Sequence, residues 1–172
     1  ETTAKLISDG NVVGWYQGKM EWGPRALGNR SILADPRNAK MKDILNEKIK
    51  HRESFRPFAP CILEEYTPEY FDVDIPSPYM LLVAPVKKPE KIPAVTHVDG
   101  TGRLQTVSKD INTLFYDLIN EFYKITGVPV VVNTSMNVRG EPIVNTLEQA
   151  YNMIIKTDMD YIVLGNYIVK KQ

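Results

Sequence analysis

The chain has 172 residues, 43% hydrophobic and 24% charged, with 21 basic and 21 acidic side chains and a formal net charge of zero. That length and apolar share fit one globular domain with a core of its own; no apolar run reaches the roughly 18 residues of a membrane span, and the balanced charge argues against a general nucleic-acid coat. A single cysteine, Cys61, excludes an intramolecular disulfide or a thiolate metal cluster within the chain and fits a reducing, cytoplasmic setting.

The chain opens on Glu1 with no secretory pattern, which predicts a single domain over 1–172 cut from a longer protein, with no membrane partner. Thr2 or Thr3 can cap a short helix over Ala4 to Ser8, and Val12 to Tyr16 has strand composition. That strand delivers the chain into Gly18 to Arg37, where Arg25, Arg30 and Arg37 lie among Gly23, Gly28 and two prolines. Guanidinium forks on backbone that turns sharply suit a phosphate or carboxylate; the plainer alternative is a turn-rich surface with solvated arginines. The segment reads as a structured loop with at most one helical turn. From Lys19 to Arg56 there are ten Lys or Arg against five Asp or Glu, a local excess that favours a focused pocket for a small polyanion.

Asp35-Pro36 has the form of a helix start, and Met41, Ile44, Leu45 and Ile49 recur at helical spacing. The helix must stop near Lys50, because Arg52 to Pro60 carries two prolines; Phe55 and Phe58 read as core anchors of that irregular stretch. Cys61 to Leu63 reads as a short buried strand with an inert core thiol. Glu64 to Asp74 reads as an acidic turn or short helix, and Tyr79 to Val86 as a strong strand. Val95 to Val98 and Leu104 to Val107 flank Asp99-Gly-Thr-Gly102 as a hairpin-like pair with Arg103 at its base.

Ile111, Leu114, Phe115, Leu118, Ile119 and Phe122 define an amphipathic helix capped by Ser108 or Asp110 and ended by Gly127. Val128 to Val132 suits a buried strand emptying into the polar loop Asn133 to Gly140. Thr146-Leu-Glu-Gln149 has capping-box form before a helix with Leu147, Ala150, Tyr151, Ile154 and Ile155, and a terminal hairpin turns at Gly165-Asn166. Three amphipathic helices among short apolar strands predict an open, twisted α/β sheet with parallel and antiparallel neighbours.

Four blocks, Met20-Glu-Trp-Gly-Pro-Arg-Ala-Leu-Gly-Asn-Arg-Ser31, Arg52-Glu-Ser-Phe-Arg-Pro-Phe-Ala-Pro60, His97-Val-Asp-Gly-Thr-Gly-Arg103 and Pro129-Val-Val-Val-Asn-Thr-Ser-Met-Asn137, resemble the C-terminal domain of the nodulation and antibiotic O-carbamoyltransferases. The resemblance implies a YrdC-like fold that activates carbamoyl phosphate with ATP to carbamoyl adenylate, and a separate N-terminal Kae1-like domain that transfers the carbamoyl group and holds the family's iron or other metal. It implies that Lys50 and Arg52 match a Lys-x-Arg pair, the candidate catalytic residues, and that Ser135 and Asn137 match a Ser-x-Asn pair, with Asn133 beside them as nucleotide-binding residues. Met136 stands where the family commonly has phenylalanine.

Arg25, Arg30 and Ser31 are candidate ligands of substrate phosphate, and Arg56 a further one or a structural residue. His97 and Arg103 either line the site or hold a turn. Two isolated histidines make no metal site, and Ser135 lacks the elbow and nearby histidine of a nucleophile. Magnesium is expected only as the companion of ATP, without a protein ligand. Lys50 and Arg52 are expected to face a pocket from a helix end, so that removing either leaves melting little changed. The competing reading is a non-catalytic nucleotide- or RNA-binding module, against which stand the zero net charge and the lack of an aromatic run on a basic strand.

Overall fold

The computed structural model of the protein describes residues 1–171. Seven strands form one open sheet in the order β6-β3-β7-β2-β1-β8-β9: β1 Val13–Tyr16, β2 Arg30–Ala34, β3 Ala59–Leu63, β6 Gln105–Val107, β7 Val130–Ser135, β8 Tyr161–Leu164 and β9 Tyr167–Lys170. β4 Val83–Pro85 and β5 Thr101–Arg103 pair separately as a small antiparallel ribbon. Within the main sheet β1–β8 and β3–β6 run parallel and the other pairs antiparallel. The mixed α/β architecture expected from the sequence is the one observed.

Helix α4, Thr113–Thr126, buries Phe115, Leu118, Ile119 and Phe122 on one face. It lies against α1, Thr2–Ser8, and over β3 and β7. Asn112, not Ser108 or Asp110, caps it by accepting from the Phe115 amide, and Gly127 closes it in the left-handed conformation. Thr146 and Gln149 make the reciprocal capping box of α5, Leu147–Lys156, which packs against β1 and β8. The face of α5 that is buried carries Ala150, Met153 and Ile154, whereas Leu147, Tyr151 and Ile155, the other apolar residues of the helix, are exposed.

Several local expectations fail for tertiary reasons. Asp35 caps no helix; its carboxylate accepts from the amide and guanidinium of Arg37, and α2 begins at Met41, runs to Ile44 and continues as a π-helical turn over Leu45–Lys50. The expected loop after Gly18 contains β2, whose five residues are all buried between β1 and β7. The strand expected over Tyr79 to Val86 shrinks to β4, because Met80 adopts a positive φ of 57°. The hairpin expected across Asp99 to Gly102 does not form: β5 pairs with β4, β6 pairs in parallel with β3, and Val95 lies in a 3-10 turn. Phe58 is buried as expected, but Phe55 is 74% exposed and anchors nothing.

Candidate functional site

Strand β7, between β3 and β2 in the sheet, ends at Ser135 beside the start of β3, where Ala59 pairs with Asn133. Over that corner three irregular segments converge: Pro24 to Ala26, Arg52 to Phe58, and the neighbourhood of Met80 and Arg103. Together they line a small cleft of about 90 Å³ whose walls include Arg25, Arg52, Arg103, Asn133 and Ser135, and none of its lining residues is acidic.

Each cation is brought there by a different device. Gly28 has a φ of +115°, and a Cβ on it would lie 2.3 Å from Phe115 Cδ1, so only glycine lets the Arg25 loop press onto α4. The Glu21 carboxylate ties the same loop by accepting from the amides of Leu27 at 2.8 Å and Asn29 at 2.6 Å. The π-helical turn over Leu45–Lys50 ends at His51, left-handed at φ 49°, which sends Lys50 and Arg52 in different directions. Arg52 is held by Asn46 Oδ1 at 2.7 Å and lies 4.8 Å over the Phe58 ring. Asn46, fully buried, also donates to the carbonyls of Ser54 and Arg56 and so shapes the whole segment. Arg103 comes from the end of β5.

Among the described residues no hydrogen bond or ion pair holds the side chains of Arg25 or Arg103, and Arg103 Nε is buried with no acceptor. Burial, followed by the charges of Arg56 and Arg103, lowers the pKa of Arg52. Burial, followed by the charge of Arg25, lowers that of Arg103. A cleft whose guanidinium groups crowd one another, with Glu53 only partly offsetting them at Arg52 and no acidic residue in the lining, attracts an anion rich in oxygen acceptors.

Lys50 is only 3% exposed and does not line the cleft. Its ammonium lies behind Ser135, donating to the carbonyl of Ser135, to the carbonyl of Asn137 at 3.0 Å and to Asn137 Oδ1 at 2.9 Å. The Ser135 hydroxyl donates to Asn137 Oδ1 at 2.7 Å. Burial, then the charge of Arg52, pushes the Lys50 amine down to about 7. The expectation that both Lys50 and Arg52 face the pocket therefore holds for Arg52 alone, and Lys50 acts on the 135–137 turn from beneath.

Asn137, expected to bind nucleotide, does not line the cleft either: its Oδ1 accepts from Lys50 and Ser135 and its Nδ2 donates to the Glu141 carbonyl at 2.8 Å. Four further candidates stand apart from the cleft. Arg30, 3% exposed, donates from its two terminal nitrogens to the carbonyls of Gln17, Gly18 and Asn29 and stacks 3.7 Å from the Tyr16 ring centroid, with only Nε left without an acceptor among the described residues; it shapes the loop and does not line the cleft. Ser31 is fully buried and accepts from the Gly28 amide at 3.1 Å. Arg56 is exposed and pairs with Glu53. His97 hydrogen-bonds Thr101 in a separate depression shared with Phe55 and Val98. No group of three or more His, Cys, Asp or Glu gathers among the described residues.

Sequence reasoning missed Asn46, Glu21 and Met80. Only Asn46 left a signal, a short polar amide between Leu45 and Ile49 of a core face.

The model of the carbamoyltransferase C-terminus matches residues 4–171. Nodulation protein NolNO of Sinorhizobium fredii is 51% identical over 174 residues, covering 98% of this chain and 26% of its own length. Nodulation protein NolO of Bradyrhizobium diazoefficiens is 47% identical over 176 residues, covering 99% and 32%. The chain thus spans about a third or less of the curated relatives it matches. Full-length HypF, solved in a phosphate- and nucleotide-bound form, superimposes with a TM-score of 0.61 at 20% identity over 96% of this chain and 20% of that one. That likeness bears on the fold, which is the YrdC-like arrangement.

Proposed function

Given that this chain belongs to the carbamoyltransferase C-terminal family, we propose that it binds ATP and carbamoyl phosphate and forms carbamoyl adenylate, leaving transfer to the acceptor hydroxyl to an N-terminal Kae1-like domain of the longer protein. The observation that carries this reading is the acid-free cleft with two unpaired guanidiniums, Arg25 and Arg103, and a third, Arg52, fixed at its wall.

The chemistry balances in two steps. Water cleaves carbamoyl phosphate to carbamate and inorganic phosphate; a carbamate oxygen then attacks the α-phosphorus of ATP, forming the acyl–phosphate bond as pyrophosphate leaves. Charge accumulates on phosphate oxygens in both steps, and fixed guanidinium donors in a partly desolvated cleft stabilise it without reorganising. Two donors of this kind removed together cost more than either alone, because the remaining fork cannot reach every oxygen. Ser135 fixes ligand orientation, and Lys50 holds Ser135 through the 135–137 turn. The lining residues offer no carboxylate, so magnesium arriving with ATP would find no protein ligand in the cleft and would serve to neutralise phosphate charge.

The test is ATP–pyrophosphate exchange in the intact natural protein. Exchange that needs carbamoyl phosphate and collapses in Arg52→Ala and Arg103→Ala supports the reading. Nucleotide binding without any exchange would leave a binding module, and salt-sensitive RNA affinity without nucleotide binding would replace both.

A further inference from the structure

Asn133 lines the cation cleft, yet it is 1% exposed and its Oδ1 is buried without a donor. The orientation of its amide is fixed from behind. Nδ2 donates to the backbone carbonyl of Ala26 at 3.1 Å and to Gln105 Oε1 at 2.7 Å. Gln105 is itself fixed, since its Nε2 donates to the Leu27 carbonyl at 3.0 Å while its Oε1 also takes the Cys61 thiol at 3.2 Å. Rotating either amide would set oxygen against a backbone carbonyl, so Asn133 must present an acceptor on its remaining side. A buried acceptor without a partner is costly, and a ligand that supplies the missing donor recovers that cost on binding.

We infer that Asn133 Oδ1 is the specificity element for the carbamoyl amide: it accepts a hydrogen bond from the ligand's NH2 group. The charged side chains of the cleft, Arg25, Arg52 and Arg103, are donors only and match phosphate and carbonyl oxygens. In a carbamoyl phosphate or carbamoyl adenylate the NH2 is the one donor on the acyl group, and Asn133 is the one amide side chain in the wall. An acetyl group has nearly the same shape but carries a methyl there and would leave Oδ1 unpaired. A site built to bond a ligand N–H rejects the analogue lacking it far more strongly than a hydrophobic pocket rejects a missing methylene.

This inference rests on the carbamoyl reading above and is tested separately from it. In the intact natural protein, pyrophosphate exchange supported by carbamoyl phosphate should exceed that supported by acetyl phosphate by on the order of 100-fold in kcat/KM. Asn133→Ala and the milder Asn133→Ser should narrow that ratio to about tenfold or less, chiefly by losing activity with carbamoyl phosphate. Gln105→Met, which loosens the same buried network without touching the cleft, should lower both substrates in step. Equal use of the two substrates by the unmodified protein overturns the inference and needs no variant. So does an Asn133 variant that lowers both in step, since that is the signature of a purely structural amide. Absence of exchange with either substrate instead removes the carbamoyl-adenylate reading and the inference with it.

Discussion

Two sets of cations lie within the same corner of the fold and behave in opposite ways. Arg30 and Lys50 are buried, and the terminal nitrogens of Arg30 and the ammonium of Lys50 are taken by backbone carbonyls of residues 17, 18, 29, 135 and 137, leaving only Arg30 Nε without an acceptor among the described residues. Arg25 and Arg103 carry the same kind of charge with no acceptor among the described residues, and Arg52 spends Nε on Asn46 and one terminal nitrogen on the Pro57 carbonyl, keeping the other at the cleft. Residue type does not separate the two sets. What separates them is whether the chain supplies an oxygen: where it does, the cation becomes scaffold, and where it does not, the cation waits for a ligand.

The sharpest way to break this contrast is to remove one member of each set and read rate and stability together. Arg52→Ala and Arg103→Ala should each cost about 2–4 kcal/mol of transition-state stabilisation, or roughly 30- to 1000-fold in exchange rate, with the melting temperature almost unchanged. Arg52→Lys should also be impaired, since an ammonium cannot reproduce the fork. Stability losses of more than about 1 kcal/mol in these variants would place them with the scaffold.

Arg30→Ala and Lys50→Met should do the reverse, each lowering stability by about 2–3 kcal/mol as charged donors are lost and buried carbonyls stranded. For a domain of this size that is roughly 5–10 °C in melting temperature, readable by thermal denaturation of the free protein. A Lys50→Met variant that melts normally would show that the ammonium is not what holds the 135–137 turn.

A pH series sharpens the comparison within the scaffold set. The Lys50 amine titrates near 7 when folded and near 10.5 when unfolded, so between those values the unfolded chain binds the extra proton. Stability attributable to this group therefore rises with pH across that window and is flat below it. Urea midpoints at pH 7 and 9.5 should show this slope in the natural protein, beyond whatever slope Lys50→Met retains. Because a bound phosphate favours the ammonium, nucleotide binding should take up a proton near neutrality, and affinity should weaken by up to about tenfold per pH unit above 7. The smallest effects belong to candidates outside the cleft: Arg56→Ala and His97→Ala should leave exchange within about twofold.

The same contrast explains what could be read from the sequence. Helices α4 and α5 were legible because apolar spacing and their terminal residues are local, as were β1, β3 and the β8–β9 hairpin. β2 was not, because Arg30 and Ser31 look like loop residues until β1 and β7 close on both sides of them. The Tyr79 to Val86 run had strand composition, but composition does not reveal that Met80 turns the backbone or that β5 offers only three partners. In the cleft, Arg25, Arg52, Asn133 and Ser135 are legible from the motifs, whereas the sequence leaves Arg103 between lining the site and holding a turn, and the structure puts it in the wall. The error lay in treating Arg30 and Lys50 as their equals, since the acceptors that occupy those two come from positions 13 and 85 residues away in the chain.

The π-helical turn over Leu45–Lys50 carries a further consequence, for the tolerance of the segment to changes in length. Such a turn holds one residue more than an α-helical turn. Deleting any one residue between Leu45 and Lys50 would let the segment rewind as α-helix, and each residue of phase is about 100° around the axis. The amine at position 50 would then swing away from Ser135, and Arg52 would leave the wall of the cleft. Glu47 and Lys48, both solvent-facing, can accept many substitutions, whereas the spacing from Leu45 to Arg52 admits neither insertion nor deletion.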